Sequence, residues 1–257
     1  MVLMPTVGVV IFSTESMKHL AECLNSVAWA DEILMLHAGA PPPELPTIAG
    51  RPIKLKTVDS LVEAAAPCEE IDSEWVLRLW GEERVEPELK EELQALRQGG
   101  LKDGGSTYRV PIRSYLLGGW AIGSVSGASP ALRLYQKSVG PGVGSRIKTE
   151  EARVLRRGWI EDYSCSELSR AVDYVQLLSD FWARRSGLRK APPGAMRAAL
   201  GSLRVFFRIL VANGIFFRGL AGVALAALAG YAVLLSEAKL WEAKYAGARE
   251  SAPKQAP

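Results

Sequence analysis

Cysteine is scarce in this chain of 257 residues, and Cys23, Cys68 and Cys165 are scattered and odd in number. Neither a disulfide framework nor zinc-ligand spacing results, so buried free thiols are expected. The amino terminus has no basic leader and no long apolar core, which predicts a protein without a signal peptide that stays in the cytoplasm. A formal charge of +3 and a pI near 8.7 are mild, and no nucleic-acid partner is expected. Acidic residues are missing altogether between Asp180 and Glu237, an interval that holds Arg184, Arg185, Arg189, Lys190, Arg197, Arg204, Arg208 and Arg218. The charge is segregated rather than large.

What is present supplies a core, with 48% hydrophobic residues in a chain long enough to bury them. Val7 to Phe12 is a β-branched run expected as the first buried strand, followed by a helix from Met17 to Ala28 with Leu20, Leu24 and Val27 at helical spacing. A second strand, Glu32 to Leu36, should lie parallel to the first, because such crossovers are right-handed. His37 to Pro43 reads as a rigid loop and Pro52 to Val58 as an edge strand. Ser60 to Glu63 forms a capping box for a short helix that Pro67 ends.

Trp75 to Leu79, apolar except for Arg78, suits a central strand covered on both faces. The polar turn Trp80-Gly81-Glu82-Glu83 comes next, and Pro87 opens a helix with Leu89, Leu93 and Leu96 on one face. This alternation predicts an α/β fold built as a doubly wound nucleotide-binding sheet. Ligands of such sheets sit beyond the carboxyl ends of the strands, which is where this turn falls.

After a linker at 99–106, Tyr108 to Arg113 and Ala131 to Tyr135 read as strands. The glycines between them, 118, 119, 123 and 127, imply a mobile loop over the sheet edge. A long helix is expected from Ser166 to Arg185, with Leu168, Val172, Val175, Leu178 and Trp182 on one face. From Ala195 a second helix should stack Arg197, Arg204 and Arg208 on one face, leaving Val205, Phe206, Phe207, Ile209 and Leu210 to cover the remainder. Such a basic amphipathic helix suits an anionic bilayer. The uncharged run from Gly219 to Leu235 is shorter than the roughly 20 residues that a membrane span needs. A re-entrant or interfacial hairpin, or a helix packed in a dimer, is expected there, with a true span and a soluble core helix as alternatives. The anticipated division is a sheet domain at 1–165, a membrane- or dimer-associating helical region at 166–245 and a disordered tail at 246–257.

Three stretches carry a family resemblance: 26–33 (Ser-Val-Ala-Trp-Ala-Asp-Glu-Ile), 73–85 and 237–242 (Glu-Ala-Lys-Leu-Trp-Glu). Together they resemble the family 2 glycosyltransferases of lipopolysaccharide core assembly, over nearly the whole chain from about Val7 to Glu242. The resemblance implies a GT-A-like sheet and a sugar-nucleotide pocket at His37, Trp80, Gly81, Glu82 and Arg133. It also implies an aspartate for the nucleoside, an Asp-x-Asp turn for a divalent metal, and an aspartate and a His-Glu pair on the acceptor side. Those positions fall on His37, on Trp80 and Glu82 with acidic Glu83 beside them, near Ser129, and on Gly144-Ser145 with Arg146 kept. With most carboxylates replaced, the expectation is an impaired transferase serving surface-glycan assembly as a binding or partner subunit. Its place would be the cytoplasmic face of the inner membrane, against lipid or a lipid-linked glycan, as a homodimer or beside an active paralogue. No cofactor is then required. The alternative is an active inverting enzyme in which Glu82 and Glu83 hold magnesium or manganese and an unidentified carboxylate acts as general base. Arg78, Arg84 and Arg133 are candidates to bind phosphate directly.

Overall fold

The computed structural model describes residues 4–15, 17–40, 48, 53–58, 70–100, 106–116, 118–123, 129–139, 152–187, 194–212 and 219–250. Cys68, Gly127, the residues expected as a helix at 60–66, the positions Gly144, Ser145 and Arg146, and 251–257 lie outside them. The chain is mixed α/β, with a seven-stranded sheet, a smaller four-stranded sheet and helices that end in a long apolar one.

β1 (Val7–Thr14), β2 (Glu32–Ala38) and β3 (Lys54–Val58) run parallel in that spatial order, and β4 (Trp75–Trp80) joins the other side of β1, also parallel. β3 is the edge strand expected from its alternating pattern. Beyond β4 the sheet turns mixed. β9 (Ala131–Gln136) pairs antiparallel with both β4 and β6 (Thr107–Val110), and β10 (Arg153–Val154) closes the far edge.

The stretch 108–113, expected as one strand, is two. Pro111 has no backbone N–H to give to a ladder, and the chain changes sheets there. β7 (Ile112–Leu116) enters the second sheet, ordered β5 (Glu83–Val85), β11 (Ile160–Asp162), β7 and β8 (Gly119–Ile122). Over 118–123 a hairpin with β8 stands where the glycines predicted a mobile loop. Gly118 turns the hairpin at φ 80°, and Tyr115 lies opposite Trp120.

Strand alternation sorts the core into two layers. Val9 and Ile11 of β1 and Leu77 and Leu79 of β4 face α1 (Leu20–Ser26) and α2 (Pro87–Ala95), where they meet Cys23, Leu24, Leu89 and Leu93. Val10, Phe12, Leu34, Leu36, Val76 and Trp80 point the other way. That face is covered by α3 (Leu168–Gly187), α4 (Ala195–Ala212) and α5 (Leu220–Glu250). α3 buries Ala171, Tyr174, Val175 and Leu178, whereas Leu168 and Val172 are exposed. Its contact face is thus rotated from the one expected, because small Ala171 and aromatic Tyr174 fit over the strands. Cys23 and Cys165 are buried free thiols.

α5 is one continuous helix of 31 residues, not a re-entrant hairpin, and residues 246–250, expected in a disordered tail, prolong it. By length and composition its stretch Gly222–Tyr245 is long and apolar enough to cross a membrane, and about a third of its most apolar part is buried inside the protein. α4 lies against it where Gly230 has no side chain: a Cβ there would come within 3.1 Å of the Ser202 carbonyl oxygen. The Ser202 hydroxyl donates to the Gly230 carbonyl at 2.7 Å.

Candidate functional site

The strand order reverses direction at β1 and β4, so the crevice outside their carboxyl ends is where a ligand of an open α/β sheet is expected. A cleft of about 210 Å³ lies there, lined by Thr14 at the end of β1, Glu82 after β4, Ser164 after β11, and Arg170, Asp173 and Tyr174 of α3. Gly81 packs closely within the turn. Its N–H donates to the Phe12 carbonyl at 2.8 Å, and a Cβ would sit 2.7 Å from the Met17 sulfur.

Glu82 is buried and both its oxygens are engaged. Oε1 accepts from the Lys18 backbone N–H at 2.9 Å and from Arg170 Nη2 at 2.5 Å, while Oε2 accepts from the His19 N–H at 3.3 Å. It thereby ties the segment leading into α1 to α3. Glu83, one residue on, lies under the turn: its Oε2 accepts from the Trp80 N–H at 2.9 Å and its Oε1 from Arg133 Nη2 at 2.5 Å. Burial, reinforced by the nearby Asp162 carboxylate and opposed by the Arg133 guanidinium, pushes the Glu83 carboxyl up to about 7. Asp162 accepts from the Ser114 hydroxyl at 3.1 Å and from the N–H and hydroxyl of Ser164 at 2.9 and 2.5 Å.

A divalent cation needs several oxygens free to turn toward one point. The oxygens of Glu82 and Glu83 instead face N–H and guanidinium donors, and a cation would have to displace Arg170 or Arg133. Among the described residues no three His, Cys, Asp or Glu side chains converge on a metal position. The donor set does not fit magnesium or manganese.

No family model matches the chain, and no curated protein does.

The remaining residues singled out in the sequence have contacts within the protein. His37 is buried on β2 beside Ser13. Its Nε2 lies 2.9 Å from the Ala40 carbonyl and so donates, leaving Nδ1, 3.0 Å from the Ser13 hydroxyl, to accept when the ring is neutral. The Trp80 indole is buried between Phe12, at a ring separation of 5.3 Å, and Tyr174, edge-on at 6.2 Å. Ser129 accepts from the Ile112 N–H at 2.7 Å. Of the arginines offered for phosphate, Arg133 holds Glu83, Arg84 pairs with Glu161 at 3.0 Å and stacks on Tyr163, and Arg78 stacks on Phe12.

On α4, Arg197 pairs with Glu237 of α5 at 2.7 Å, so it bridges the two helices. Arg204 and Arg208 are exposed.

Sequence reasoning missed Arg170, Asp162 and Tyr174. Arg170 carried no signal, since its meaning comes from Glu82, 88 residues away. Among the described residues the Tyr174 hydroxyl, buried at the cleft wall, has no hydrogen-bond partner.

Proposed function

We propose that this chain is a family 2 glycosyltransferase-like protein of lipopolysaccharide core or related surface-glycan assembly. It is impaired in sugar transfer and acts as a binding or partner subunit at a membrane surface. Support comes from the three motif stretches together with a parallel sheet half whose switch point carries the acidic turn, as a GT-A-like nucleotide-binding sheet would. The observation that carries the impairment is the engagement of both Glu82 oxygens by Arg170 and the 18–19 backbone. The carboxylate that a metal turn would aim outward works as an internal tie.

A leaving nucleoside diphosphate needs its developing charge neutralised, commonly by a Lewis-acidic metal. Here the nearest cations are themselves committed to carboxylates. Losing one such electrostatic stabiliser typically costs about two to three decades in rate. The test is turnover of uridine, guanosine, cytidine and adenosine diphosphate sugars with manganese present. The expected result is no hydrolysis or transfer above the protein-free rate. Manganese-dependent turnover that Glu82→Gln abolishes would overturn the reading in favour of an active inverting enzyme.

A further inference from the structure

α4 leaves an apolar stripe open to solvent. Met196, Leu200, Leu203, Phe207 and Val211 are each at least 50% exposed, and their spacing of four, three, four and four residues puts them on one side of the helix. The opposite side meets the protein through Ala198, Ser202 and Ile209. Arg204 and Arg208 flank the stripe along one edge, and among the described residues neither has an ion-pair partner. No acidic residue occurs from the end of α3 to Glu237, and Glu237 itself is held by Arg197. α5 adds a second line of exposed apolar groups, Leu220, Val223, Tyr231, Leu234, Trp241 and Tyr245.

Two arrangements compete with a bilayer lying along this surface. The first has α5 crossing the membrane. α5 is already committed elsewhere: Leu225, Ala226, Ala229 and Ala232 are fully buried in the layer that covers the sheet. Lys239 ties it to Asp180 of α3 at 2.7 Å. Threading α5 through lipid would strip that cover from Phe12, Leu36 and Trp80. The second has another copy of the chain on the stripe. Stripe-to-stripe packing would bring the flanking arginines of both copies together with no acidic side chain of α4 to balance them, which costs energy in a partly dry interface. Anionic headgroups meet both features of the surface, the apolar stripe and the unbalanced cations.

We infer that the α4–α5 pair is a monotopic membrane-binding surface. α4 lies in the plane of an anionic bilayer, with Met196, Leu200, Leu203, Phe207 and Val211 below the headgroups and Arg204 and Arg208 at lipid phosphates. Over the sixteen residues from Met196 to Val211 the stripe is about 22 Å long at the α-helical rise. Trp241 and Tyr245, at the far end of α5, are residue types favoured at the same interface. The inference extends the membrane part of the reading above and is independent of whether the chain transfers sugar.

The test is flotation of the full chain with vesicles of phosphatidylcholine alone or mixed with phosphatidylglycerol, across ionic strengths. Alkaline carbonate extraction of the bound protein and sedimentation without lipid complete it. Binding is expected to the anionic vesicles only, weakening as salt screens the arginines, and the protein should be released by carbonate. Arg204→Gln with Arg208→Gln should weaken binding about thirtyfold, from a contribution near 1 kcal/mol per basic residue. Leu203→Glu with Phe207→Glu should abolish binding while leaving the melting temperature unchanged, because both side chains are exposed. Equal binding to neutral and anionic vesicles at every ionic strength overturns the inference, as does resistance to carbonate. So does a dimer in solution that the Glu variant dissociates while vesicles are ignored. A protein that binds vesicles as expected but turns over sugar nucleotides overturns the proposed impairment alone, and a silent protein that ignores vesicles overturns this surface alone.

Discussion

Trp80→Ala is expected to destabilise the protein by about 3–5 kcal/mol, the range for emptying a buried aromatic site that closes only in part. The indole lies in the layer between the sheet and α3, against Phe12 and edge-on to Tyr174. Its loss removes contacts on both sides and loosens the helix that supplies Arg170 to Glu82. In a domain of this size the melting temperature should fall by on the order of ten degrees. Trp80→Asp, which would install the carboxylate that the family resemblance calls for, should be worse still. An ionised group there would be taken out of water with aromatic rings as neighbours, and such burial costs several kcal/mol per ion. Thermal melts followed by circular dichroism check both variants. An unchanged melting temperature in Trp80→Ala would put the indole outside the core and leave it available to a ligand.

Stability should fall as pH rises from about 5 to 7, and Glu83 is the group responsible. In the folded protein its carboxyl holds a proton up to about 7, against an ordinary value of 4.5. The unfolded chain releases that proton near the ordinary value. Between the two values the folded state therefore binds more protons than the unfolded one, and the unfolding free energy declines with pH. The contribution is complete below pH 4.5 and gone above 7. A shift of this size corresponds to about 3 kcal/mol over the window. Glu83→Gln removes the titration. It loses some stability at every pH, since an amide cannot accept from both the Trp80 N–H and Arg133, a cost of about 1–3 kcal/mol. Its stability profile should be flatter than the parent's between pH 5 and 7. Urea unfolding of both proteins across that range is the measurement, and equal slopes would show that Glu83 is ionised in the folded protein.

The parts of the fold legible in the sequence are those where one local pattern decides the outcome. β1, β2 and β4 are apolar runs buried on both faces, and α2 announces itself with Pro87 at its start and the Leu89–Leu93 pair. The second sheet was hidden because its strands are short and its cues local. Pro111 ends one strand and the next residue starts another in a different sheet, and the glycines around Trp120 mask β8. The acidic turn was equally visible, but its meaning was not. Whether Glu82 and Glu83 bind a ligand or hold the protein together depends on Arg170 and Arg133, 88 and 50 residues distant. No pattern within the turn reports those partners. Arg197 makes the same point. It reads as one of three stacked arginines until Glu237, 40 residues later, takes it as a partner.

The measurement that bears most directly on the structural role of these carboxylates is calorimetry of the intact chain with nucleoside diphosphate sugars, with and without manganese, beside the Glu82→Gln variant. No manganese-dependent heat of binding is expected in either protein. A lower melting temperature is expected for Glu82→Gln, because an amide cannot accept from Arg170 and from both backbone N–H groups. Tight, manganese-dependent binding by the parent chain that Glu82→Gln eliminates would contradict a structural role for Glu82 and make it a metal ligand.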